Sequence, residues 1–131
     1  MDRFSRGMLA GLSWVLVCVS VPAFGQDCEK GAAVMSQVLA CLYNFHQQQL
    51  DSTFKGTVQI VRIKDVTAAD FLVKAEKSWE RFAEASCDYT VAASPNEIPE
   101  DARFNCWATL ADARIKVLRA YRSNFLDKHP K

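Results

Sequence analysis

Cysteines have the widest chemical scope in this sequence, at positions 18, 28, 41, 87 and 106. Thiolates can bind zinc, attack carbonyls or pair as disulfides, and spacing separates these uses. Structural zinc sites draw on close pairs such as C-x-x-C, and no such pair exists here. A Cys-His nucleophile needs a free thiol beside an imidazole. His46 lies within a helical stretch, where a packed and hydrogen-bonded core role is expected, and His129 lies in a polar tail. No nucleophile elbow, phosphate loop or redox C-x-x-C appears. The expectation is a non-enzymatic protein without metal or cofactor. A second cluster of chemical interest is acidic. Glu97, Glu100 and Asp101 fall in a stretch braced by Pro95 and Pro99. Carboxylates in such a loop can steer a basic partner electrostatically. They equally suit the N-terminus of a helix, whose free amides carry partial positive charge.

The start of the chain decides how the cysteines divide. Arg3 and Arg6 precede an uncharged, mostly apolar run from Gly7 to Val21, and Pro22 and Ala23-Phe24-Gly25 follow. A basic start, a short apolar run and a small-residue site are the three regions of a cleavable signal peptide. The run is short for a bilayer span, which needs about 20 residues. Residues 1–25 therefore read as a leader and 26–131 as one mature domain, periplasmic or secreted. The leader carries off Cys18 and leaves Cys28, Cys41, Cys87 and Cys106. An even set in a short secreted chain reads as a disulfide framework. The leader also takes Arg3, Arg6 and Asp2 from 16 basic and 15 acidic residues, leaving 14 of each. A balanced mature chain argues against nucleic acid as partner, since such binders show a basic excess. It gives no support to a membrane-surface role after cleavage.

Three amphipathic segments must position these groups. Met35, Leu39, Leu42, His46, Leu50, Phe54 and Val58 recur at helical steps. The strand-like Val58-Gln59-Ile60-Val61 after Gly56 predicts that this helix ends near Lys55. Thr67 and Asp70 match a capping box, which predicts a second helix from Ala68 to about Val91. Its expected inner face carries Phe71, Ala75, Trp79, Phe82, Ser86 and Tyr89. Ser94-Pro95-Asn96 and Pro99 break it. A third helix is expected from Asp101 to about Leu126, with Phe104, Trp107, Ala108, Ala111, Ile115, Leu118 and Arg122 in a stripe. Trp79 and Trp107 should pack in the core, each indole N–H finding a partner. Arg114 falls beside the stripe, placed to pair with Glu84 or Glu80 or to meet a ligand.

The fold class that results is all-α, a small antiparallel three-helix arrangement stapled by two disulfides. Cys87 lies about two turns before the connector and Cys106 about one and a half turns after it, so a helical hairpin brings them level. Cys28 and Cys41 remain as the other pair. Their bond requires residues 26–31 to leave the helix and run back along it, which Gly31 permits. Four cysteines allow three pairings, and spacing alone does not choose among them.

Two stretches carry a family resemblance. Ala75 to Cys87 (AEKSWERFAEASC) and Cys106 with Leu110, Arg114 and Leu118 resemble the two motifs of the LprI-type lysozyme-inhibitor family. Trp79 and Phe82 occupy the aromatic positions of the first motif. The likeness is densest over residues 70–120. It implies a small secreted four-cysteine helical protein with a protein partner, a lysozyme. The acidic residues Glu97, Glu100 and Asp101 themselves suggest the mechanism, occlusion of the enzyme's cleft by this end of the hairpin. The rival class is an envelope structural or adaptor protein. The chain departs from the pattern at several positions. Glu76 stands where the family has glutamine, Ala83 where it has arginine, and Ser94 to Asp101 where it has a glycine-rich turn. The Leu-Asn-x-x-Tyr signature of the family's first helix is reduced to Leu50-Asp51-Ser52-Thr53-Phe54.

Overall fold

The computed structural model describes residues 28–30 and 32–130. The leader expected over residues 1–25 lies outside them, as does Gly31. Three helices make up the architecture: α1 (Met35–Lys64), α2 (Val66–Ala93) and α3 (Pro99–Lys128). No helix among the described residues is long and apolar enough to cross a membrane.

Helix α1 does not stop near Lys55, as its composition suggested. It continues unbroken through Gly56 and the β-branched run to Lys64. Tertiary packing overrides the local preference: Thr57 and Val61 are buried on the inner face, and strand propensity is a weaker force than such burial. The Thr57 hydroxyl donates to the Thr53 carbonyl at 2.8 Å, which satisfies it without water.

A single residue turns the chain from α1 into α2. Asp65 adopts an extended backbone, and its N–H bonds to the Val61 carbonyl to close α1. Its carboxylate accepts from the Ala68 N–H at 2.9 Å and caps α2. The Thr67–Asp70 capping box is thus displaced by an aspartate two residues earlier. Asp70 instead meets Arg62 across the corner at 3.0 Å.

Side-chain pairs fix the helix directions. Glu76 pairs with Arg114, Cys87 with Cys106 and Asp88 with Arg103. The first number rises as the second falls, so α2 and α3 are antiparallel. Tyr43 meets Trp107 and His46 meets Asp112, so α1 and α3 run the same way. The core cluster is Leu50, Ala111, Ile115 and Leu118, with Phe54, Leu72, Trp79 and Trp107 against it. Ala69, Ala83, Ala102 and Ala111 are buried where helices meet, and their small side chains permit close approach.

The buried face of α2 is rotated from the expected one. Ala69, Glu76, Ala83 and Cys87 point inward. Phe71, Phe82 and Tyr89 lie outside, 65, 59 and 74% exposed. Both disulfides form: Cys28 with Cys41 and Cys87 with Cys106, with Cα–Cα distances of 5.6 and 5.5 Å. Cys28 lies against Cys41 although α1 begins only at Met35.

Gly56 tests the continuity of α1. A Cβ at this position meets nothing within 4 Å, and glycine inside a helix is about 0.5–1 kcal/mol less favourable than alanine. Gly56→Ala should therefore raise the unfolding free energy by about that amount, read by urea denaturation of the oxidised protein. A loss of stability would mean that α1 breaks where its composition suggested.

Candidate functional site

The connector between α2 and α3 occupies one end of the bundle. Pro99 takes the first position of α3, and Glu100 and Asp101 fill its first turn. Pro99 suits that place because its missing N–H would have had no helical partner. Ile98, the residue before it, offers no side-chain cap, so the two carboxylates are the acidic complement to the helix terminus. Glu97 precedes the helix, and its N–H bonds to the Ser94 carbonyl at 3.1 Å. Glu97 and Glu100 are exposed and Asp101 is partly so. None of the three forms an ion pair among the described residues. The base of the connector is clamped twice, by the Cys87–Cys106 disulfide and by Arg103 to Asp88 at 2.6 Å.

Below the connector a cleft of about 500 Å³ opens between all three helices. Tyr43 and Gln47 come from α1, Glu80 and Glu84 from α2, and Arg103, Phe104 and Trp107 from α3. The rings form a cluster: Tyr43 lies 5.4 Å from Phe104 and 6.0 Å from Trp107 between centroids. Trp79 lies 5.6 Å from Trp107 on the core side. The Trp107 indole N–H is buried without a hydrogen-bond partner among the described residues, against the expectation that each indole would be satisfied. His46 sits partly exposed at the helix rim, its Nδ1 2.9 Å from Asp112, rather than deep in the core.

Arg114 reaches neither Glu80 nor Glu84. Its Nε and Nη2 both donate to one carboxylate oxygen of Glu76, at 3.0 and 2.7 Å. The two residues are 8 and 4% exposed. The guanidinium also lies 5.7 Å from the Trp79 ring centroid and 5.9 Å from that of Tyr121. A planar cation suits this place, because it can stack on rings and bond in its own plane. This leaves Glu80 and Glu84 exposed in the cleft without ion-pair partners among the described residues.

The sequence model of a family described as lysozyme inhibitor LprI matches residues 27–118. The chain belongs to this LprI family. No curated protein and no solved structure matches it. The match runs from the residue before Cys28 to Leu118 and so takes in all four paired cysteines, the cleft and the ion pair. Leu118 is fully buried and Arg114 nearly so, while Trp79 and Leu110 are partly buried. Phe82, the other aromatic of the first motif, faces outward. The departure from glutamine at Glu76 falls opposite Arg114, so in this member of the LprI family a carboxylate neutralises the buried arginine.

Breaking a buried pair strands a charge and costs about 3–5 kcal/mol, whereas replacing both partners by apolar residues is often nearly neutral. Glu76→Ala should destabilise the protein by about 3–5 kcal/mol in chemical denaturation. The double substitution Glu76→Leu with Arg114→Met should recover most of that loss. A loss below about 1 kcal/mol for Glu76→Ala, the level of a surface pair, would show that the pair does not hold the helices.

Proposed function

We propose that this LprI-family protein is an extracytoplasmic, non-enzymatic inhibitor of lysozyme, exported by a cleaved leader and working as the single domain 26–131. The end of the bundle that carries Glu97, Glu100 and Asp101 is the part that meets the enzyme and occludes its substrate cleft. One observation carries this reading: at that end the three carboxylates form no ion pair among the described residues and are held on a doubly clamped junction. Lysozymes are strongly basic, and complementary charge raises the encounter rate and fixes orientation. Because the mature chain is balanced overall, attraction must arise from a local patch, and the connector end supplies one. A rigid support matters as well, since a pre-ordered surface loses less entropy on binding.

A second reading has its own observation. Phe71, Phe82 and Tyr89 are exposed along one line of α2, separated by Ala75, Ser78 and Ala85. An exposed apolar stripe of this kind suits an adaptor that packs against another envelope protein.

The deciding assay is lysozyme activity on cell walls with the oxidised protein, residues 26–131, in stoichiometric excess. Dose-dependent inhibition, lost on reduction of the disulfides, is the expected result. Neutralising the patch by Glu97→Gln, Glu100→Gln and Asp101→Asn should abolish inhibition. It should lower stability by no more than about 1–2 kcal/mol, since only the two carboxylates in the first turn of α3 interact with the helix terminus. Unchanged inhibition by this variant removes the connector from the mechanism. Loss of inhibition on Phe71→Ser with Phe82→Ser instead would favour the outer face of α2.

A further inference from the structure

The cleft beneath the connector has a composition that the carboxylate loop does not explain. Its one cation, Arg103, is neutralised by Asp88 at 2.6 Å. Its two anions, Glu80 and Glu84, are exposed and without ion-pair partners among the described residues. The cleft therefore carries uncompensated negative charge. Beside these carboxylates stand the faces and edges of Tyr43, Phe104 and Trp107, already gathered into one cluster. Carboxylates next to aromatic rings are the surroundings a guanidinium prefers: it donates in-plane hydrogen bonds to the anions and stacks on the rings. The same protein already solves this problem internally. Arg114 is held by Glu76 and flanked by the rings of Trp79 and Tyr121. The cleft repeats that chemistry at the surface, with carboxylates and rings side by side and its described arginine, Arg103, already paired with Asp88.

We infer that this cleft receives an arginine side chain of the protein partner, with Glu80 and Glu84 binding its guanidinium and Tyr43 and Trp107 stacking on it. The inference rests on the proposed binding of a basic enzyme and adds the chemistry by which such a partner is gripped. A volume of about 500 Å³ admits one long side chain with its flanking backbone and lies within the range of ordinary ligand clefts. A buried arginine anchor is also the kind of residue on which interface energy concentrates. Gln47 at the rim supplies an amide for the backbone of the incoming segment.

The test uses the secreted, oxidised protein and three small probes: N-acetyl-arginine amide, the neutral isostere N-acetyl-citrulline amide, and chitotriose. The readout is the indole N–H resonance of Trp107, assigned by its disappearance in Trp107→Phe. Saturable shifts with the arginine amide and none with citrulline are expected. Glu80→Gln with Glu84→Gln should weaken binding by about fivefold or more, as for the loss of two exposed charge contacts. Glu80→Asp with Glu84→Asp, which keeps both charges on the same helix face, should retain binding and confirms that the site tolerates substitution. Equal shifts with citrulline, shifts with chitotriose alone, or no shift with any probe would each overturn the inference. The readout needs no lysozyme, so the two proposals fail separately. Arginine binding without enzyme inhibition removes only the inhibitor reading. Inhibition by a protein whose cleft ignores arginine removes only the cleft.

Discussion

A guanidinium inside a three-helix protein must be neutralised or it will not stay there. Arg114 comes from the middle of α3, Glu76 from the middle of α2, and their contact at 2.7 Å lies close to the Leu50, Ala111, Ile115 and Leu118 core. Hydrophobic burial does not by itself set the register of two long helices, because apolar contacts are non-directional. A buried ion pair does, since sliding by one turn would strand both charges in a poor solvent for ions. With Arg114 and Glu76 aligned, Cys87 falls level with Cys106 and Asp88 with Arg103. Those two clamps then hold the connector. The position of the acidic end thus depends on a contact roughly 16 Å along α2 from Cys87, counting 1.5 Å per residue.

The division of labour among the helices follows. Helix α1 packs alongside α3 in the same direction, which demands a long return, and α2 is that return. Asp65 makes the first turn with a single residue, while the second turn is a longer, proline-marked connector. One end of the bundle is a tight corner with little surface to vary. The other carries the loop, a disulfide, the carboxylates and the cleft. Chemistry that a partner could read is concentrated at that second end. The exception is the outer face of α2, where Phe71, Phe82 and Tyr89 stand in solvent.

Some of this was legible in the residues. The positions of Cys87 and Cys106 about a proline-rich break implied a stapled hairpin, because helix rise converts sequence distance into length. The motif residues Trp79, Leu110, Arg114 and Leu118 pointed to the LprI family, whose model matches residues 27–118. The face of α2 was not legible. Periodicity placed the aromatics inside and the charges outside, whereas Glu76 is inside because Arg114 awaits it on another helix. Alanines at 69 and 83 mark the true contact line, but small residues carry almost no hydrophobic signal. The corner at Asp65 did have a signal, an N-cap aspartate before a helical run, overshadowed by the fuller capping box two residues later. The cleft could not be read at all, since Tyr43 and Gln47 enter it only through the register of α1 against α3.

The proposed binding surface for a basic partner is the connector end. Hydroxyl-radical footprinting of the oxidised protein, alone and saturated with lysozyme, tests this by reporting which aromatic side chains become shielded. Protection of Tyr43, Phe104 and Trp107, with Phe71 and Phe82 as reactive as before, is the predicted outcome. Protection of Phe71 and Phe82 with the cleft aromatics unchanged would contradict it and place the partner on the outer face of α2.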